Sequence, residues 1–589
     1  MTGTILGIEK EAHKVLIQPT ESKPNRNIMV FGGPGSYKTQ SVVITNVLNE
    51  TEHSQVITDP KGEVYELTGG VKEMQGYEVH VLNFMDMTNS DRHNPIDYVN
   101  KDIEASTVAT KIVDSANKDG KRDVWYYSQR ALLKALILYS RYEFEPKDRT
   151  MTGILDFLQE FDPANNEKGD SELDKQFMQL DRRHPARRSY ELGFKKSQGE
   201  MQGSIIMSLL TTISDFVDEE VSQFTSFSDF HLQDIGRKKI ALYVIIPVMD
   251  NSWESLINIF FSQLFNELYK LGAKHGAKLP INVDFWLDEF VNLGKFPTFE
   301  EFLATCRGYG IGVGIMLQSL TQLYDKYKRE KAESILGNCS VKICLNSANM
   351  TTAEYFEKML GKTTVRIDTQ SKSKQHNSKD SGGTSTSEGE QYSQRQLMTA
   401  DEIMTIPEDE SVIVFSNKHP LRVKKAFQFK LFKGATLLNP KSQANYSPTP
   451  SVEQLERYKE KITEYHAYRL KQQEETKQAE DTAFQAQEQA DKKEASKANE
   501  TITDEQKAYL KKREALLADM QEQEQEQEES PELPKGSPLE VAEEDTTKEP
   551  EIAEQSDLMF ENEADNDVSF DYYATEDFPT AINFESEDE

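Results

Sequence analysis

Short apolar runs punctuated by turn residues recur along the first part of the chain: "NIMVFGG" (27–33), "SQVITDPKG" (54–62) and "YEVHVLNF" (77–84). Runs of this length bounded by Gly, Pro, Asn and Asp predict buried strands. The polar-to-apolar spacing after the first predicts a helix from about Thr39 to Leu48. From about residue 100 to 236 the strand signal fades. "DVWYYSQRALLKALILYSRY" (123–142) and "MQGSIIMSLLTTISDFV" (201–217) have helical spacing and length, which predicts an all-α domain inserted over 100–236. Strand-like runs then return as "KKIALYVIIPV", "PINVDFWLDEF", "IGVGIMLQS", "SVKICLNS" and "SVIVFS", with helical stretches between most of them. Residues 1–99 and 237–435 therefore read as two parts of one α/β domain, its sheet covered on both faces. Within it, the polar Gly- and Ser-rich stretch 370–394 reads as a mobile loop.

Beyond 435 the pattern changes. Residues 436–530 read as a charged helical region, and from about 450 to 527 the chain is rich in Glu, Gln, Lys and Ala, good helix formers. Val452, Leu455, Tyr458, Ile462 and Tyr465 give barely two heptads, which predicts a charged single helix rather than a coiled coil. The segment 531–589 has no periodicity and reads as a disordered acidic tail. Its "DVSFDYYATEDFPTAINF" has a composition suited either to docking on a partner's basic groove or to a merely solvated tail.

Composition sharpens this picture in three places. The hydrophobic fraction of 37% is low for one compact globule, in keeping with unpacked segments. The net charge of -32 excludes a protein that coats nucleic acid with its whole surface. About 20 acidic and 2 basic side chains lie beyond residue 530, so over half of the excess is confined to the tail. No run approaches the roughly 18 apolar residues that cross a bilayer, and the start lacks a signal-peptide pattern. A soluble, cytoplasmic protein is expected. Cys306, Cys339 and Cys344 have no disulfide or zinc spacing and read as buried reduced thiols.

The candidate chemistry begins at "GGPGSYKT". A phosphate-binding loop reads G-x-x-x-x-G-K-[ST], and Gly32 to Thr39 fits every position but one, with Tyr37 where the second glycine belongs. Around Pro34, which has no N–H to give, the backbone N–H groups of Gly32, Gly33, Gly35, Ser36, Tyr37, Lys38, Thr39 and Gln40 would curl about phosphates at a helix N-terminus. Lys38 would reach the β- and γ-phosphates of ATP, and the Thr39 hydroxyl would bind Mg2+. Tyr37 fits if its ring turns away from the phosphates; a positive φ there costs roughly 1–2 kcal/mol. "VDFWLDEF" supplies the complement, an apolar strand ending in Asp288 and Glu289. Asp288 would order magnesium and Glu289 would polarise the attacking water.

"VITDPKGEVYELTG", "HNPIDYV", "WLDEFVNLGKFPTFEEFLATCRGYGIGVGIMLQSLTQL" and "ILGNCSVKICL" resemble the coupling-protein ATPases of type IV secretion and conjugation, the VirD4/TraG group. The resemblance covers roughly residues 25 to 430. It implies a RecA-like motor domain with an inserted all-α domain, assembled as a ring, usually hexameric, around a DNA channel. Arg307 would be the arginine finger offered to the neighbouring subunit's γ-phosphate, and Gln318 the sensor glutamine beside that phosphate and the water. Asp59 and Lys61 in "TDPKGE" are family-like residues at a strand end, with no chemical role assigned. The implied partners are a relaxase, single-stranded DNA and the ATPases of the secretion channel. Two departures stand out: Tyr37, and the lack of the N-terminal membrane helices usual in the group. The second leads to the expectation of a naturally soluble member recruited to the cytoplasmic face of the membrane by a separate membrane protein.

A basic stretch in the insert, "DRRHPARRSYELGFKKS", offers Arg182, Arg183, Arg187, Arg188, Lys195 and Lys196 as contacts for DNA or relaxase. The leading expectation is a coupling ATPase that delivers a relaxase–DNA complex to the transfer channel. Two rivals remain: a non-hydrolysing adaptor whose loop Tyr37 has spoiled, and a DNA pump of the FtsK/HerA type.

Overall fold

The structure, a computed structural model, describes residues 3–21, 25–117, 122–161, 171–197, 200–247, 252–294, 296, 298–374, 384–500 and 504–527. The expected acidic tail at 531–589 lies outside these residues. In chain order the strands are β1 (Thr4–Ile8), β2 (Val15–Gln18), β3 (Ile28–Phe31), β4 (Ser54–Asp59), β5 (Glu78–Asn83), β6 (Ile240–Ile245) and β7 (Val283–Leu287). They continue with β8 (Ile311–Leu317), β9 (Val341–Cys344), β10 (Lys362–Lys374), β11 (Thr384–Gln396), β12 (Glu410–Phe415) and β13 (Leu421–Lys424).

Eleven strands form one sheet in the order β2-β1-β13-β12-β9-β3-β8-β7-β4-β6-β5. From β9 to β5 every pairing is parallel, while β12, β13, β1 and β2 extend the sheet antiparallel. The fold class is α/β, as the alternation of strand and helix signals implies. The strands are buried on both sides because their residues divide by parity. Met29, Phe31, Val56, Leu82, Phe285, Val313 and Ile315 enter one core. Ile28, Val30, Ile57, Val81, Trp286 and Met316 enter the other. Such double burial requires helices on both faces.

Residues 102–236 hold helices and no strand among the described residues, the longest being Val124–Glu143, capped by the Asp123 carboxylate accepting from the Tyr126 N–H. Leu132, Leu133, Leu136 and Ile137 on that helix share a continuous core with the sheet side chains of the first face. Insert and sheet accordingly fall in one compact unit, Met1–Thr482. The thiols of Cys306, Cys339 and Cys344 are free and buried.

Three local features refine the sequence reading. The β1–β2 hairpin went unread because its strands are four and five residues long and lie at a sheet edge. The stretch 370–394, read as loop, pairs instead: β10 and β11 run antiparallel from Lys362 opposite Gln396 to Lys374 opposite Thr384, and residues 375–383 lie outside the described residues. Alternating Ser, Thr and charged residues satisfy a two-sided polar ribbon, which hydropathy cannot distinguish from a loop. Finally, in the charged region read over 436–530 the helix begins at Val452, close to residue 450 where the helix-forming composition starts. Pro440, Pro448 and Pro450 break the intervening stretch, which lies along helix Glu63–Met74 through Lys441–Glu73 at 2.6 Å and Gln443 Nε2 donating to Lys61 O at 3.1 Å.

The helix Val452–Glu500 is not a solvated rod at its start. Arg457 gives two 3.0 Å hydrogen bonds to buried Asp234, Lys461 reaches Asp97 at 2.7 Å, and Arg469 reaches Glu143 at 3.0 Å. Residues from Ala483 onward form a second unit that includes helix Asp504–Gln527, whose described side chains are exposed. No helix among the described residues is long and apolar enough to cross a membrane.

Candidate functional site: a phosphate-binding loop at the carboxyl ends of the strands

Phe31 of β3 lies opposite Leu317 of β8, and Leu287 of β7 opposite Ile315. The three strands therefore deliver Gly32, Gln318 and Asp288 to the same edge of the sheet, the crevice at strand carboxyl ends where α/β proteins bind ligands.

The loop is built from backbone. Gly32 N–H donates to Leu317 O at 3.0 Å, and Ser36 N–H to Gly33 O at 3.2 Å. Gly33 N–H donates to Asn346 Oδ1 at 3.0 Å. Gly32 tolerates no side chain, since a Cβ there would lie 2.3 Å from Ser36 Oγ. Pro34 and Gly35 form the exposed crest, and Gly35 has φ +71°. Lys425 Nζ ties the loop from outside by donating to Ser36 O at 3.0 Å, and burial pushes that ammonium down to about 8.

Tyr37 adopts φ +63°, so the position demands the left-handed region that its motif glycine would occupy freely. Its carbonyl accepts from both the N–H (2.9 Å) and the hydroxyl (2.7 Å) of Ser41. Its ring turns away from the loop, edge-on to Phe427 at 5.5 Å and 86°. The Glu408 carboxylate, hydrogen-bonded to the phenol, raises its pKa above the ordinary value. The following helix opens as a π-turn over Thr39–Val43 before becoming α over Ile44–Asn49. Tyr37→Val adds a β-branch at a positive φ, and we expect it to cost about 1–2 kcal/mol of stability. Tyr37→Gly exchanges strain for backbone entropy and should shift stability by less than about 1 kcal/mol. Urea denaturation of the two variants checks the difference.

The chemistry-bearing side chains converge. Lys38 Nζ folds back on the loop, donating to Gly32 O at 2.7 Å. Burial lowers its pKa, against the opposing charges of Asp288 and Glu289. Thr39 Oγ1 donates to Asp288 Oδ2 at 2.7 Å. Asp288 is 4% exposed, and burial raises its pKa although the Thr39 hydroxyl and Lys38 oppose the rise. Glu289 sits at φ +47°, ψ +49°, a left-handed conformation at a functional carboxylate. Asn292 Nδ2 donates to its Oε2 at 2.8 Å, and Gln318 Nε2 to its Oε1 at 3.5 Å. Asp59, at the end of β4 next to β7, caps helix Glu63–Met74 by accepting from Tyr65 N–H at 2.8 Å. Burial raises its carboxyl to about 7, with Asp288 adding to the rise. Lys61 lies in the turn between them.

A hydroxyl and a buried carboxylate in contact beside an ammonium fit a magnesium–phosphate group: two oxygens for the metal and a cation for the phosphates. When bound, the ion would neutralise phosphate charge between Thr39 and Asp288.

Arg307 is not brought into this group. It precedes Ile311 at the amino end of β8, whereas Gln318 follows the carboxyl end. Seven strand residues at about 3.3 Å each separate the two by more than 20 Å. Its side chain is exposed and makes no hydrogen bond or ion pair among the described residues.

The basic segment divides. Arg187 gives hydrogen bonds to Met178 O (2.8 Å), Leu180 O (2.7 Å) and Glu191 Oε1 (2.9 Å), so it fastens helix Pro185–Leu192 to its neighbour and is not a free phosphate contact. Arg182, Arg183, Arg188 and Lys196 are exposed, and Lys195 is half-buried. Asn346, Lys425 and Gln428, which also hold the loop, carried no motif in the sequence. They lie more than 300 residues from the loop they touch.

Fold and site together give an α/β protein with a glycine-rich loop that follows the phosphate-loop pattern and an Asp-Glu pair at the adjoining strand end. A family described as Type IV secretory system Conjugative DNA transfer matches residues 20–478, more than three quarters of the chain, and the chain belongs to that family. Among similar proteins, conjugal transfer protein TraG of Escherichia coli is 27% identical over 402 residues, 65% of this chain and 62% of that protein. Protein VirD4 of Rhizobium radiobacter is 23% identical over 449 residues, 72% and 58% respectively. The chain thus spans about three fifths of the length of these relatives. Among solved structures, bacterial conjugative coupling protein TrwBdeltaN70 in complex with sulphate is 17% identical with a TM-score of 0.49, covering 72% of this chain and 87% of that one.

Proposed function

We propose that the chain is the coupling ATPase of a conjugative type IV secretion system. In this reading it binds a relaxase attached to single-stranded DNA and uses ATP hydrolysis to deliver that complex to the transfer channel and its ATPases. The observation that carries the proposal is the Thr39–Asp288 contact, with Glu289 and Gln318 beside the loop, in a chain of this family.

The residues divide the work. Lys38 exchanges the Gly32 carbonyl for the β- and γ-phosphate oxygens, so its partly buried ammonium meets charge already desolvated. Glu289, held by Asn292, accepts a hydrogen bond from the attacking water and orients it toward phosphorus. Gln318 holds the other oxygen of Glu289 and reports whether the γ-phosphate is present. Arg307, too far to serve its own site, completes the site of a neighbouring copy, where a guanidinium meets several developing charges at once. Hydrolysis therefore requires a ring, taken as a hexamer. Recruitment to the membrane face falls to a separate membrane protein.

ATP turnover with magnesium, measured over a range of protein concentrations with and without single-stranded DNA, tests the reading beside Lys38→Ala. Turnover per subunit should rise with both concentration and DNA and vanish in Lys38→Ala. A folded wild-type protein without turnover would instead leave the adaptor. The positive φ at Tyr37, accommodated with its ring turned outward, speaks against a spoiled loop.

A further inference from the structure

We infer that Lys425 is a positioning residue for phosphate binding: it locks the Ser36–Tyr37 peptide with its N–H facing the phosphates, against a flip that the strained Tyr37 favours. The inference rests on the reading that Gly32–Thr39 binds nucleotide phosphates. Three consecutive peptides of the loop are held in different ways. The Gly35–Ser36 peptide is tied by the Ser36 N–H donating to Gly33 O at 3.2 Å. The Tyr37–Lys38 peptide is tied by its carbonyl, which accepts from the N–H and the hydroxyl of Ser41. The Ser36–Tyr37 peptide between them has one hydrogen bond among the described residues, from Lys425 Nζ to Ser36 O at 3.0 Å. Lys425 is itself fixed. It is 3% exposed, directly after β13, and its backbone N–H donates to Asp409 O at 2.8 Å. The next carbonyl, that of Ala426, accepts at 2.7 Å from Thr45 Oγ1, on the helix that follows the loop.

A trans peptide carries its C=O and N–H on opposite sides. With Ser36 O held by Lys425, the Tyr37 N–H points away from that ammonium and has no partner among the described residues. It is the free donor that a backbone nest for phosphate requires. Rotating this one peptide by about half a turn would reverse the pair while both Cα atoms and both side chains keep their places. Tyr37 would then leave φ +63° for the negative-φ region open to any L-residue. Strain at Tyr37 therefore favours the flip, and the flipped peptide aims a carbonyl oxygen at the phosphates. The ring contacts do not oppose it, because Phe427 and Glu408 touch a side chain that stays where it is. Lys425 does oppose it, since the flip takes away the acceptor of a buried ammonium. A glycine at position 37 would have no strain to relieve. Lys425 thus supplies the constraint that Tyr37, standing in a glycine position, makes necessary.

A double-mutant cycle on the full chain, read by titration calorimetry with MgADP, tests the pairing. Lys425→Met keeps the apolar stem and removes the donor. It should weaken MgADP about tenfold where residue 37 is tyrosine, the size of a lost hydrogen bond to a charged group. In the Tyr37→Gly background the same substitution should weaken MgADP no more than about twofold. A lysine that merely supports the fold, or attracts phosphate by its charge, would act equally in both backgrounds. Equal losses in the two backgrounds, or no loss in either, overturn the lock. Urea denaturation of all four proteins accompanies the titrations. Should Lys425→Met unfold the protein with Tyr37, recovery of folding in Tyr37→Gly supports the lock, and failure to fold in both backgrounds overturns it. The underlying reading fails separately. A folded wild type that binds neither MgADP nor magnesium tripolyphosphate removes the phosphate site, whereas wild-type binding with equal losses in the cycle removes only the lock.

Discussion

Glu289→Gln lowers ATP turnover by about 10²–10⁴-fold and leaves MgADP affinity within about twofold. The reasoning is local. Among the described residues Glu289 makes no hydrogen bond to the loop backbone; its oxygens accept from Asn292 and Gln318. An amide in its place keeps the size and the hydrogen bond to Gln318 or Asn292, yet it no longer carries the charge that pulls on a water proton. Binding, which rests on Lys38, Thr39 and the loop N–H groups, is untouched. Single-turnover hydrolysis alongside equilibrium binding reads the two quantities separately. A variant that lost affinity and turnover together would show that Glu289 supports the loop and not the water.

Arg307→Ala should cost about 10³–10⁵ in turnover at a protein concentration that saturates assembly, the range known for arginines supplied to a neighbouring phosphoryl-transfer site. The strand length makes the stronger prediction. Because Arg307 stands at the opposite end of β8 from Gln318, its loss should damage the adjoining copy's site and spare its own. Mixing Arg307→Ala with Lys38→Ala, each inactive alone, should therefore restore part of the turnover. Sites with Lys38 from one subunit and Arg307 from the other are complete. Mixtures that stay inactive although assembled would place the Arg307 defect within its own subunit and end the proposal of a shared site.

Several parts of this protein were legible before any coordinates. Strand positions followed from short apolar runs because a strand buried on both faces is mostly apolar, a pattern that survives without knowledge of its neighbours. The β10–β11 ribbon and the β1–β2 hairpin escaped for the converse reason, since exposed or edge strands owe their form to pairing and not to burial. Arg187 illustrates a different failure. A run of arginines reads as one charged surface, but the fold spends one of them on backbone carbonyls and a glutamate.

The amino-acid sequence by itself determined the phosphate loop, the Asp288–Glu289 pair and the α/β class. Each depends on residues adjacent in the chain: a turn needs its glycines in order, and a strand end presents whatever follows it. Only the tertiary structure decided that Tyr37 occupies a left-handed conformation with its ring turned outward. It also decided that Asn346 and Lys425 brace the loop, and that Arg307 is out of reach of its own site. Those facts depend on which strands become neighbours in the sheet, and hydrogen bonds spanning more than 300 residues leave no mark on local hydropathy.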